Sequence, residues 1–388
     1  MGFSFDINKT LEDVKPSGIR RFFDIANEMD DVISLSIGEP DFPTPWHIRE
    51  EGIRSLEKGK TWYMPNAGLM QLRSAISGYV ERHTGIKYEK EDVLVTVGGS
   101  EAIDLGLRTL INPGDEVLIP EPSFVCYAPL TKMAGGTAVP IVTRASDSFR
   151  LMPEALKAAI TPKTRLLILP FPNNPTGGIM RKKHLEAIAD VLKDTSIAVM
   201  TDEIYAELTY GNEKHVSFAS LPDMKERTLY INGFSKAFAM TGWRLGYACG
   251  PEELISQMTK LHQYGLMSAP TTSQYAAIEA MENSDPDVEA MCEEYDVRRR
   301  YIVDRLNGMG LTCFEPEGAF YVFPSIGITG LSSEDFCHRL LSEQRVAVVP
   351  GNAFGDSGEG FVRISYCYSL KHITVAMERI EKFISKLN

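Results

Sequence analysis

The chain has 388 residues, of which 44% are hydrophobic and 24% charged, and it carries a formal net charge of −12. That apolar content suffices for a sizeable core, and the length allows two or three domains. An acidic surface repels phosphate backbones, so nucleic acid is not an expected partner, and no apolar run approaches the ~18 residues that cross a bilayer, so neither is a membrane.

From its start, M-G-F-S-F-D-I-N-K-T, the sequence is polar and lacks the apolar stretch of a secretion signal. Residues 1–45 hold two Pro-rich segments and little strand pattern. Regular alternation begins at Val93-Leu94-Val95-Thr96-Val97, a β-branched strand that runs into Gly98-Gly99-Ser100 and then a helical stretch over 101–110. The turn Asn112-Pro113-Gly114-Asp115 ends that helix, and residues 116–119 return as a strand. Further strands are expected at 165–169, 197–201, 228–231 and 245–249, with helical patterns between several of them, as over 184–193. Short apolar strands alternating with helices indicate an α/β fold with a mostly parallel sheet covered on both faces. Ligands of such sheets sit outside the carboxyl ends of the strands. From about residue 285 the pattern changes to a long charged helix over 289–307, followed by strands at 319–323, 346–349 and 361–364. This second part reads as an α+β unit. Six scattered cysteines show no metal-ligand spacing, which suggests reduced thiols, no structural metal and a cytoplasmic location.

Several chemistry-bearing residues fall just after these strands. Lys236 lies in Asn232-Gly233-Phe234-Ser235-Lys236-Ala237-Phe238-Ala239-Met240, among small and apolar neighbours that do not suit a surface lysine. An amine buried in this way loses basicity and can form an imine with an aldehyde. Arg244, eight residues later, suits a phosphate. Asp202 and Tyr205, in Thr201-Asp202-Glu203-Ile204-Tyr205, follow another strand, where an acid also suits the cap of a following helix. Pro172-Asn173-Asn174-Pro175-Thr176-Gly177 reads equally as a polar turn. Gly98-Gly99-Ser100 would let a backbone approach an anion at a helix N-terminus. Arg363 sits within an apolar strand, where a cation is costly without a partner.

The segment 232–246 resembles the cofactor-lysine signature of class I pyridoxal-phosphate aminotransferases, the aspartate aminotransferase family. The resemblance spans nearly the whole chain, from Gly38-Glu39-Pro40-Asp41-Phe42 to Arg363, with the motifs in the family's order. It implies fold type I: a large domain with a seven-stranded-type sheet at 46–285, and a smaller α+β domain at 286–388 to which the arm 1–45 contributes. It also implies that Lys236 bonds the cofactor, that Asp202 faces the pyridine nitrogen, and that Tyr205 and Asn174 contact the ring 3-oxygen. Gly99, Ser100 and Arg244 would hold the phosphate, and Phe124 would stack on the ring unless it is an ordinary core residue. Some members have a phosphate-binding serine three residues before the lysine; here that position is Gly233, and Ser235 is the expected substitute. Arg363, Gly38 and Asn174 would receive the substrate α-carboxylate, and Tyr63 would reach the phosphate of a neighbouring subunit, which makes the enzyme a homodimer.

The implied reaction moves an amino group between an L-amino acid (aspartate-type, aromatic or related) and a 2-oxo acid, with 2-oxoglutarate as the expected acceptor. A carbon–sulfur β-lyase on the same site is the alternative. More remote is an aminotransferase-like regulator domain, which the acidic charge and the short stretch before Ser34 disfavour. Position 100 is serine and residues 261–274 contain no Lys or Arg, so a cation for a distal substrate carboxylate is not evident. Arg20 and Arg21 would supply one if the N-terminal segment folds over the pocket.

Overall fold

The computed structural model describes residues 31–211 and 214–387 without a break, together with residues 8–12, 14, 16, 18 and 29. Arg20 and Arg21 lie outside these described residues. A short strand, β1 (Ile33–Ser34), precedes the main sheet, whose seven strands are β2 (Val93–Thr96), β3 (Glu116–Glu121), β4 (Thr137–Val142), β5 (Thr164–Leu169), β6 (Ala198–Asp202), β7 (Thr228–Gly233) and β8 (Gly246–Cys249). Their spatial order is β2-β8-β7-β6-β5-β3-β4. Every residue of β2, β7 and β8 is buried, as expected of strands that carry helices on both faces.

β4, β3, β5, β6 and β7 run parallel to one another, and β8 runs antiparallel to both β7 and β2. The carboxyl ends of the parallel strands therefore share one edge with the amino end of β8. Gly98, Asn174 and Lys236 follow the carboxyl ends of β2, β5 and β7, Asp202 is the last residue of β6, and Arg244 precedes β8. Topology thus brings residues from three loops and the end of β6 to one side of the sheet.

Most expected elements recur with shifted ends, and the exceptions have identifiable causes. β4 is absent from the sequence reading; it is an edge strand, half exposed and containing Pro140, so it presents neither a continuous apolar run nor clean alternation. The helix expected over 101–110 starts at Gly99, because Gly98 turns the chain with φ 79°. The charged helix spans Asp285–Gly308, with Pro286 in its first turn. The strand expected over 346–349 is two: β10 (Val346–Ala347) pairs in parallel with β1, whereas β11 (Val349–Pro350) pairs antiparallel with β12 (Val362–Ser365). β12 also pairs with β9 (Tyr321–Val322), and a helix over Leu370–Leu387 packs nearby. Leu35 shares a core there with Ile302, Phe320, Ile364 and Phe383, so residues far apart in sequence bury one apolar surface. Among the described residues no helix is long and apolar enough to cross a membrane.

Candidate active site

At the shared edge of the main sheet lies a cavity of about 600 Å³. Eleven of the twelve residues singled out from sequence line it: Gly38, Gly99, Ser100, Phe124, Asn174, Asp202, Tyr205, Ser235, Lys236, Arg244 and Arg363. Tyr63 does not. Its side chain is 80% exposed on the outer surface.

Lys236 lies in the turn that follows β7, and its Nζ donates to the Gly38 carbonyl at 2.6 Å. Burial lowers its pKa to about 8, against opposition from Cys367 and Glu39 and with help from the cations Arg363 and Arg244. Asp202 ends β6 and is 7% exposed. Burial pushes its carboxyl above the usual carboxylate range, while the Tyr127 hydroxyl, donating to Oδ2 at 2.7 Å, pulls the other way. The Ile204 amide donates to Oδ1 at 3.3 Å. Tyr205 and Tyr321 place their hydroxyls 2.9 Å apart, joining the loop after β6 to β9.

Arg363, on β12, is 2% exposed, yet its partners among the described residues are all neutral. Nη1 donates to Asn174 Oδ1 at 2.9 Å and Nη2 to the Ser36 carbonyl at 2.5 Å. The guanidinium carbon lies 4.5 Å from the Tyr321 ring centroid and 4.9 Å from that of Phe354. A buried cation without an anion is costly, and here its free face opens onto the cavity that holds Lys236. Gly38 is confined by the same group: a Cβ at that position would stand 1.8 Å from the Tyr321 hydroxyl oxygen.

Gly99, Ser100 and Arg244 form another part of the lining. Gly98 leads into the helix Gly99–Leu110, whose first amides are free for an external acceptor. Arg244 adopts a left-handed conformation, φ 52°, uncommon for a residue with a side chain. Its Nη1 donates to the Thr241 carbonyl at 2.9 Å. A Cβ on Gly98 would come within 2.6 Å of Arg244 Nη2, so the glycine is what lets the guanidinium reach this turn.

The sequence profile of the family described as aminotransferase class I and II matches residues 30–380. The chain belongs to this family. The aspartate aminotransferase of Pyrococcus abyssi is 47% identical to it, over 96% of this chain and 97% of that one. The aromatic-amino-acid aminotransferase 2 of Thermococcus litoralis is 45% identical over 98% of each. A crystal structure of the aromatic aminotransferase from Pyrococcus horikoshii superposes with a TM-score of 0.91 at 46% identity, covering 95% of this chain and 100% of that one. This aminotransferase therefore transfers amino groups between amino acids and 2-oxo acids on a fold-type-I scaffold, and aminotransferases of this class depend on pyridoxal phosphate.

Three contacts in the aminotransferase site were not anticipated: Tyr127 on Asp202, Tyr321 on Tyr205, and the Ser36 carbonyl on Arg363. Tyr127 lies three residues beyond Phe124 in a segment with no distinctive local pattern. Tyr321 falls in an expected strand, but strand periodicity does not say which hydroxyl will meet which.

Proposed function

We propose that the cavity binds pyridoxal phosphate, with Lys236 as its covalent anchor, and carries out transamination of an L-amino acid. The observation behind this reading is the convergence of a lysine brought to about 8, a buried acid and a buried arginine with only neutral partners around one cavity. The residues fit the group by their chemistry. Asp202, acidic and buried, suits a protonated ring nitrogen. The Asn174 Oδ1 accepts from Arg363, which leaves its Nδ2 as a donor for the ring 3-oxygen alongside the Tyr205 hydroxyl. The Gly99 and Ser100 amides, the Ser100 and Ser235 hydroxyls and Arg244 would hold the phosphate, and Phe124 would stack on the ring.

When bound, pyridoxal phosphate supplies a conjugated ring that withdraws electrons from the substrate Cα. Lys236 Nζ would take the Cα proton as a base and deliver it as an acid to the cofactor's C4′ and not back to Cα, for which a pKa near 8 suits operation around neutrality. Arg363 receives the α-carboxylate, gaining the anion that it lacks among the described residues, and orients the Cα–H bond. The Gly38 amide adds a donor to the same carboxylate. We assign residues 46–285 to the cofactor-binding domain and residues 286–388, with the arm 1–45, to the small domain. We also assign a homodimer in which the exposed Tyr63 reaches the partner's phosphate site, and a cytoplasmic location that the six free cysteines support. Aspartate-type or aromatic amino acids are the proposed donors and 2-oxoglutarate the acceptor.

The test is a single-turnover panel. Purified enzyme carrying its cofactor is mixed with each common L-amino acid without any oxo acid. A transaminase releases oxo acid in an amount equal to its sites and then stops until 2-oxoglutarate is added. Continuous release of pyruvate and ammonia would instead identify a β-lyase.

A further inference from the structure

The turn between β2 and the helix Gly99–Leu110 is fixed by side chains that play no part in the chemistry above. Thr96 Oγ1 donates to the Gly98 carbonyl at 2.9 Å. The Val97 amide donates to Glu101 Oε2 at 2.5 Å, and Glu101 Oε1 lies 2.7 Å from His262 Nδ1. Opposite a carboxylate, that nitrogen carries a proton in either ionisation state of the ring. His262 is fully buried at 0% exposure, within the helix Glu252–Gly265.

Two features argue that this arrangement is more than packing. An acid in the first turn of a helix is favoured by the helix dipole, yet it would repel a phosphate held at the same helix end. Here both carboxylate oxygens are engaged by donors that face away from that role, Val97 on one and His262 on the other. In addition, His262 Nε2 is buried without a partner among the described residues, which is costly. A leucine would fill that space without the cost, so the imidazole is accounted for by its bond to Glu101. The His262 carbonyl also accepts from the Leu266 and Met267 amides at 2.9 and 3.0 Å, and the Met267 carbonyl accepts from Asn66 Nδ2 at 2.7 Å. One residue thereby connects the anion-binding turn to the segment that carries Tyr63.

We infer that Glu101 and His262 form a positioning couple that sets the geometry of the Gly98–Ser100 turn for the cofactor phosphate. The inference rests on the pyridoxal-phosphate reading of the cavity. Neither residue touches the reacting atoms, so their effect should be on phosphate recognition and not on recognition of the ring.

The full chain, stripped of cofactor, is titrated with pyridoxal phosphate and separately with pyridoxal, and both dissociation constants are measured by equilibrium dialysis. The variant His262→Leu is expected to raise the constant for pyridoxal phosphate by roughly 10-fold or more, the scale of a lost hydrogen bond to a charged group, with less than about a 2-fold change for pyridoxal. His262→Asn, whose amide nitrogen can stand where Nδ1 does, is expected to restore most of the affinity. Equal weakening toward both ligands, or no weakening toward either, overturns the inference. Should His262→Leu not fold, as read by circular dichroism, Glu101→Gln is scored by the same two constants and the same criterion. A wild-type chain that binds pyridoxal as tightly as its phosphate would instead overturn the phosphate site itself, and this couple with it.

Discussion

The molecule buries arginines in two ways. In the helix Asp285–Gly308, Arg298 and Arg299 each find carboxylates: Arg298 pairs with Asp41 at 2.7 Å and Glu294 at 3.1 Å, and Arg299 with Asp296 and Glu315, both at 2.7 Å. Their charges are balanced within the chain, and they tie the helix to its surroundings. Arg363, more deeply buried, has an amide oxygen, a carbonyl and two aromatic rings for company. The difference separates cations whose charge is balanced by carboxylates from one surrounded by neutral groups. A balanced pair is complete without ligand, whereas the proposed function assigns Arg363 the substrate carboxylate as its counter-charge.

The largest expected effect lies beside the unbalanced arginine. Lys236→Ala should eliminate turnover, by about 10⁴-fold or beyond, while circular dichroism shows an unchanged fold. Transamination retained in the purified variant would remove the basis for placing catalysis in this cavity.

The comparison itself is broken or sharpened by one pair of substitutions. Arg363→Ala should weaken amino-acid binding by roughly 2–5 kcal/mol without lowering the unfolding midpoint, because no anion is orphaned by its loss. Arg298→Met should do the reverse, costing roughly 1–2 kcal/mol of stability while the apparent affinity for substrate holds; the figure is modest because Glu294 and Asp41 keep contact with water. If both variants lose stability alike, the distinction between the two arginines fails.

A further effect is one of pH. Lys236 ionises at about 8 when folded and at 10.5 as an ordinary lysine, so between these values the unfolded chain binds more protons. Stability of the cofactor-free protein should therefore rise from pH 8 to 10.5 relative to a Lys236→Ala variant, and the penalty for the buried ammonium should be fully present below pH 8. Parallel urea titrations of the two proteins across that interval measure it, and coincident pH profiles would show that Lys236 is not desolvated as described.

What could be read from sequence was local. Lys236 among small apolar residues, Asn174 in its turn, Gly98 before a helix and Asp202 after a strand each occupy a stretch whose spacing betrays it. What could not be read depends on residues meeting across the fold. Tyr127 and Asp202 are 75 positions apart, and Arg363 and Ser36 are separated by 327. The break between β10 and β11 escaped for the same reason, since the run 346–349 is uniformly apolar and only its two different partners divide it. Tyr63 marks a further boundary: its exposure gives it no place in a cavity formed by one chain.

By itself the sequence determined the alternation of strands and helices and the chemical identity of the residues at the strand ends, because periodicity and turn chemistry act over a few neighbouring positions. It also determined, through resemblance, the order in which those residues recur. Only the tertiary structure decided that Arg363 is buried among neutral groups and that Asp202 is held by Tyr127. Only there, too, does Lys236 lose basicity, because desolvation and charge pairing depend on what the whole chain packs around a group.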